Sequence, residues 1–197
     1  MIITRHINSI FNSNTYILED KSCDYCWLID IGDAEPFLDK DNIKGIFLTH
    51  THFDHIYGIN KIIEKFPDCT IYTSKSGSES LYSDKLNLSK YHESPLIFKG
   101  DNVRILNEND KIELFPNIFL EVKETPGHCP SCLTYYTDNY IFTGDSYIPN
   151  IKVVTNLPKG NKVQAQESVE KIKKNIGSRT ICPGHGEILE SKVNNLK

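Results

Sequence analysis

The segment from His50 to His55 sets three histidines and one carboxylate, at His50, His52, Asp54 and His55, within six residues. Imidazole and carboxylate are ordinary ligands of divalent ions. If a strand ends at Leu48 and the chain continues extended, His50 and His52 point the same way, because side chains alternate along an extended backbone. Those two can share one ion. Asp54 and His55 fall at the turn into a following helix, where the chain changes direction and a second ion beside the first comes within reach. The alternative is a polar loop whose histidines simply face water; with seven histidines in the chain and three of them here, that reading needs a coincidence. Three further metal-capable residues each follow a glycine after a strand-like run: His128 after Pro126 and Gly127, Asp145 after Thr143 and Gly144, and His185 after Pro183 and Gly184. Glycine there suits a sharp turn that brings backbone close to a bound ion.

The elements that position these residues are read from the apolar pattern. Alternating or continuous apolar runs predict strands at 15–18, 27–31, 45–48, 70–73, 118–122, 132–136, 140–142 and 180–182, the first two forming a hairpin. Ile56, Ile59, Ile62, Ile63 and Phe66 fall at helical spacing, and Pro67 ends the run. A second helix is expected over 162–176, with Val163, Val169, Ile172 and Ile176 on one side and Gly177 at its end. The polar stretch 74–99 is read as a short helix and a surface loop. Strands dominate with helices interposed, which is a mixed α/β pattern. With no linker, repeat or low-complexity tract, one domain over 1–197 is the simplest division.

The order His-x-His-x-Asp-His, Pro-Gly-His, Thr-Gly-Asp, Pro-Gly-His-Gly resembles the metallo-β-lactamase superfamily, and within it the glyoxalase II-like hydrolases. The likeness runs from the hairpin before Asp30 to Gly186 and fills all five motif positions. Asp30 matches the family aspartate that supports the metal site from behind. The resemblance implies one ion held by His50, His52 and His128, a second held by Asp54, His55 and His185, and Asp145 bridging both. It also implies a four-layer αββα sandwich with the metal site at one edge between two sheets.

Such a ligand set, without thiolate, suits two divalent metal ions, zinc first, with iron or manganese also fitting. Water between two such ions loses a proton near neutral pH and becomes a hydroxide nucleophile. The ions also polarise a carbonyl or phosphoryl oxygen. The expectation is hydrolysis of an ester, thioester, lactone or phosphoester in a small-molecule substrate, with Asp54 and Asp145 as the catalytic carboxylates. A mononuclear iron redox enzyme on the same scaffold, similar to persulfide dioxygenases, stays open, because two histidines and Asp145 also suit one iron. A non-catalytic binding module would show lost ligands, and none is missing. Glyoxalase II carries an added C-terminal helical region for glutathione; the stretch after His185 leaves room for one short element, so the resemblance does not imply hydrolysis of a glutathione thioester. A β-lactamase is also not expected, since Asp145 fills the bridging position and no export signal is seen.

Hydrophobic residues at 39% and charged residues at 24% fit a globular protein rather than a disordered or membrane one. A net charge of -4 offers no global field for nucleic acid, so no nucleic-acid partner is expected. No run approaches the roughly 18 apolar residues of a membrane span, and no secretory signal precedes the first strand, so the expected location is cytoplasmic. The size is compatible with a homodimer. Cys23 with Cys26 and Cys129 with Cys132 invite a shared structural zinc, but the strand from Cys26 to Asp30 covers about 13 Å and should separate the pairs. Ordinary buried or loop cysteines are expected, with the second pair beside the site. His6 is read as an edge-strand residue and His92 as a loop residue able to line the cleft. Tyr147 with Lys152, Lys159 and Lys162 could meet an anionic substrate or form a solvated charged face.

Overall fold

The computed structural model describes residues 1–190. Eleven strands build two sheets. The first takes β1 (Ile2–Ile7), β2 (Asn14–Glu19), β3 (Cys26–Ile29), β4 (Ile43–Phe47), β5 (Thr70–Thr73) and β6 (Val103–Ile105) in chain order. Its first three strands are antiparallel, and β3 through β6 run parallel. The second sheet takes β7 (Lys111–Phe115), β8 (Ile118–Glu124), β9 (Leu133–Tyr136), β10 (Tyr140–Gly144) and β11 (Thr180–Pro183), with only the β10–β11 pair parallel. Three α-helices, α1 (Ile59–Lys65), α2 (Lys75–Leu81) and α3 (Lys162–Asn175), complete the described regular structure together with short 3-10 turns.

The central strands are buried on both faces, as parallel strands between layers must be. Trp27, Ile29, Phe47 and Tyr72 turn toward the second sheet and pack with Leu114, Leu120, Val122, Tyr135 and Phe142. Their neighbours Leu28, Ile46 and Ile71 turn outward and pack with Ile59 and Ile62 of α1. On the far side, Ile172 of α3 packs on Ile141, Ile181 and Tyr136 of the second sheet. The order is therefore helix, sheet, sheet, helix: the expected αββα sandwich. No helix among the described residues is long and apolar enough to cross a membrane.

All eight expected strands are present within a residue or two of their predicted ends. β6 and β7 were not expected, and of β1 only an edge-strand position for His6 was. β1 is an edge strand whose Thr4, Arg5 and His6 break any apolar alternation, and β6 spans only three residues. The first helix starts at Ile59 rather than Ile56, because the 53–56 segment is held as a 3-10 turn by His55 N to His52 O and Ile56 N to Phe53 O. The second helix matches, and its buried face is partly the expected one: Ile172 and Ile176 pack inward as expected, whereas Val163 does not. Ala165, Ser168 and Ile172 face inward while Val163 is 67% exposed. Its rotation is set at the N-terminus: Asn161 Oδ1 accepts from Val163 N and Gln164 N, and Ser168 Oγ donates to the Pro126 carbonyl.

Candidate metal centre

β4 ends at Phe47, and the chain bends at Thr49 and continues through a buried stretch to His52, whose backbone is extended. His50 and His52 both turn into the edge between the sheets, their rings 4.8 Å apart. His128 follows β8 and arrives from the second sheet, its ring 5.0 Å from His50 and 4.6 Å from His52. One nitrogen from each of the three lies within 4.8 Å of the others. His52 Nδ1 and His128 Nε2 are 2.8 Å apart. Asp54 and His55 sit on the 3-10 turn after His52, and His185 follows β11. His185 Nε2 lies 3.2 Å and His55 Nε2 3.4 Å from Asp54 Oδ2, forming a second group.

Asp145, just after β10, lies between the groups. Its Oδ2 is 3.6 Å from His128 Nε2 and 3.5 Å from His185 Nε2, and its Oδ1 is 3.7 Å from His55 Nε2. All seven residues singled out in the sequence thus meet at one edge of the sandwich, four from the first sheet's loop and three from turns of the second.

Whether cations fit here is testable on the unsatisfied atoms. Buried polar atoms nearly always find partners. Yet His50 Nε2 and Asp145 Oδ1 are buried with no hydrogen-bond partner. Both are electron-pair donors on the centre's inner face, and a cation there satisfies them. The outer nitrogens are already committed. His128 Nδ1 donates to the Val154 carbonyl at 2.8 Å, His185 Nδ1 to the Phe11 carbonyl at 3.1 Å, and His55 Nδ1 to Asp30 Oδ2 at 2.9 Å. A carbonyl or carboxylate can only accept, so each ring, once neutral, presents an Nε2 lone pair inward.

Asp30 anchors this arrangement from behind. It follows β3 with φ 57, a left-handed conformation that Asp tolerates better than most residues. Its carboxylate accepts from Thr49 N and Thr49 Oγ1, both at 2.7 Å, besides His55. The glycines have distinct reasons. Gly127 (φ 136) and Gly144 (φ 49) adopt backbone conformations that L side chains rarely reach. Gly184 has ordinary dihedrals but no space, since a Cβ there would run into Asp145 Oδ1.

Electrostatics divide the centre. Burial, and then the neighbouring imidazoles, hold His50 well below its ordinary value; burial also lowers His128. Burial works against the charge on His55 and His185 too, but Asp54, Asp30 and Asp145 raise His55 to about 9, and Asp145 with Asp54 raises His185 to about 10. Conversely, burial pushes Asp54 and Asp145 up, and the surrounding histidines outweigh it to bring both below the usual carboxylate range. Imidazole donors thus stand beside a carboxylate-rich group.

The family model described as the metallo-beta-lactamase superfamily matches residues 10–185, nearly the whole chain. The chain belongs to the metallo-β-lactamase superfamily. Among curated relatives of this superfamily, the hydroxyacylglutathione hydrolase of Hamiltonella defensa subsp. Acyrthosiphon pisum (strain 5AT) is 27% identical over 98% of this chain and 68% of its own length. That of Salmonella typhi is 30% identical over 81% of this chain and 57% of its own. The chain therefore spans between about half and two thirds of these relatives. These similarities support a metal-dependent hydrolase, and the superfamily implies divalent metal ions. Among solved structures, the BLEG-1 B3 metallo-beta-lactamase superposes with a TM-score of 0.86 at 22% identity, covering 96% of this chain and 94% of the other. TTHA1623 in a di-iron-bound form gives 0.78 at 23%, covering 95% and 94%. At such identities these two show the fold alone.

The remaining sequence candidates lie outside the centre. His6 is on edge strand β1, 3.4 Å from Asp33 Oδ2. His92 packs on Phe53 at 4.2 Å and on Phe11 at 5.8 Å. Tyr147, Lys152 and Lys162 line a groove of about 600 Å³ along α3, whereas Lys159 lines a separate small cavity with His52. Cys129 and Cys132 come together as 3.3 Å neighbours, and all six thiols are free. Thr49, Phe11 and Val154 were missed by sequence reading. Thr49 was hidden because only its contacts distinguish it from any other buried threonine; Phe11 and Val154 act through backbone carbonyls, which every residue type possesses.

Proposed function

We propose that this chain is a binuclear metal-dependent hydrolase acting on an ester, thioester, lactone or phosphoester of a small molecule. The observation that carries the reading is Asp145: a carboxylate set between two ligand groups, one oxygen near His128 and His185 and the other buried without a hydrogen-bond partner. In this reading His50, His52 and His128 hold one ion, Asp54, His55 and His185 hold the other, and Asp145 holds both. Zinc suits the set best, with iron or manganese also accommodated. Bound there, two divalent ions supply a water nucleophile at neutral pH and an electrophile for the substrate's carbonyl or phosphoryl oxygen.

The chain's own residues do the rest. Asp54 accepts a hydrogen bond from the attacking water and aims its lone pair at the substrate. Asp30, through His55 and Thr49, fixes the ring and loop that set Asp54's position. The carbonyls of Phe11 and Val154 keep His185 and His128 from rotating. We would try acyl thioesters first, because relatives at 27% and 30% identity are named hydroxyacylglutathione hydrolases.

Elemental analysis of freshly purified protein, with ester, thioester and phosphodiester turnover measured on the same sample, tests this. Close to two ions per chain with turnover is expected, and Asp145→Ala should lose two-metal occupancy. An Asp145→Ala variant that keeps both ions and full activity removes the bridging assignment. A single iron with oxygen uptake on a persulfide, and no hydrolysis, replaces the hydrolase with the redox reading.

A further inference from the structure

Beside the metal centre is a pair of thiols that the hydrolytic chemistry does not use. Cys129 Sγ and Cys132 Sγ lie 3.3 Å apart, in the turn between His128 and β9. No other two sulfurs among the described residues come within hydrogen-bonding reach of each other. Both residues are buried, at 4% and 2% exposure, so no solvent motion is needed to bring them together. A disulfide requires an S–S separation of about 2.05 Å, so closure asks for little more than an ångström of movement.

The surroundings also select a reagent. Cys129, but not Cys132, lines a cavity of about 60 Å³ together with His52, Ser131, Pro158 and Lys159. Of the two sulfurs, only Cys129 thus faces space that a small oxidant such as hydrogen peroxide can enter. We propose that Cys129 and Cys132 are a reversible dithiol–disulfide site that takes small hydroperoxides as oxidant and acts on the adjacent three-histidine group. In the first step the Cys129 sulfur attacks one peroxide oxygen. The S–O bond forms, the O–O bond breaks, and the departing hydroxide leaves as water with the thiol proton. In the second, the Cys132 sulfur attacks the Cys129 sulfenic acid, forming the S–S bond and releasing a second water. Two thiols are oxidised, and one peroxide is reduced to two waters.

The consequence reaches the centre through two short connections. Cys129 directly follows His128 in the chain. Its sulfur also contacts Ser131 Oγ at 3.1 Å, and that hydroxyl accepts from Thr51 N, the amide between His50 and His52. Drawing the Cys129 sulfur onto Cys132 takes it away from Ser131 and shifts both sides of the three-histidine group at once.

The test treats metal-loaded protein with hydrogen peroxide, unfolds it in guanidinium with iodoacetamide so that every reduced thiol is alkylated, and maps the cysteines by mass spectrometry. Cys129 and Cys132 should become linked and resist alkylation while Cys23 stays alkylatable, with dithiothreitol restoring both. The oxidised form should release metal to a chelator about tenfold faster, the size expected when a ligand's supporting shell is disturbed. In Cys132→Ser, dimedone should trap sulfenic acid on Cys129. Two thiols that remain alkylatable, or a Cys129 carried straight to sulfinic acid in the wild type, overturn the proposal. The mapping needs no turnover, so an inactive protein that still forms the disulfide sinks the hydrolase reading and leaves this one standing.

Discussion

His55 and His185 are held by carboxylates strongly enough to be raised to about 9 and about 10 in the metal-free chain. Between their ordinary 6.5 and those values both rings keep a proton when folded, so a cation entering this group must displace it. Calorimetric zinc titrations near about pH 7.5, in two buffers of different ionisation enthalpy, should show net release on the order of two protons per chain. The release should shrink as pH approaches 10, and none at neutral pH would contradict the electrostatics. The same shifts bear on stability. A raised imidazole stabilises the metal-free fold fully below about 6.5 and loses that contribution as pH rises through 9 to 10. Asp30 makes no contact with the proposed substrate space, yet it fixes His55 and Thr49. Asp30→Asn should weaken metal affinity by about 10- to 100-fold with a smaller effect on the substrate's KM, measured by competition with a chromophoric chelator. At this scale the seven proposed ligands could be singled out because their chemistry resides in side chains at telling spacings. The Phe11 and Val154 carbonyls were not, since the position of a peptide oxygen depends on where the chain is folded.

Strands were easier to read than helix faces, and the reason is in the packing. In β3 and β4 every residue but Lys44 is buried, and a continuous apolar run announces itself. α3 is different. Its inward face is Ala165, Ser168 and Ile172, two of which carry little hydrophobic signal, while Val163 points to solvent. Close approach to the Gly127 turn demanded small residues there, so the pattern that marks the buried stripe was diluted. Substitution separates the two readings of this helix. Ile172→Ala should destabilise by roughly 2–5 kcal/mol as a buried large-to-small change. Val163→Ala should stay within about 0.5 kcal/mol. Urea unfolding of both variants measures this; equal losses would mean that the helix is rotated from the face described.

The two sheets meet at the metal edge and contribute to it unequally. His50, His52, Asp54 and His55 come from the first, while His128, Asp145 and His185 come from the second. Cations held there as proposed would clamp the sheets across their open end, so removing them with a chelator should lower the thermal midpoint appreciably. By mass action, a site at a hundred times its dissociation constant contributes about 2.7 kcal/mol. An unchanged midpoint, measured by circular dichroism, would mean that the clamp carries no folding energy. We propose that the chain is one domain, and a single unfolding transition is expected. The layered architecture itself was legible only through the family likeness; apolar periodicity locates strands without saying which sheet receives them. One buried feature ties the layers together away from the metal. Trp27, the only tryptophan in the chain, belongs to the first sheet, but its indole Nε1 donates to the Leu114 carbonyl of the second at 2.8 Å. Its ring lies 5.3 Å from Phe47 and 5.9 Å from Tyr72. The molecule therefore contains a single indole fluorophore spanning the seam between its two halves, and the colour of its emission tells whether that seam is dry or wet.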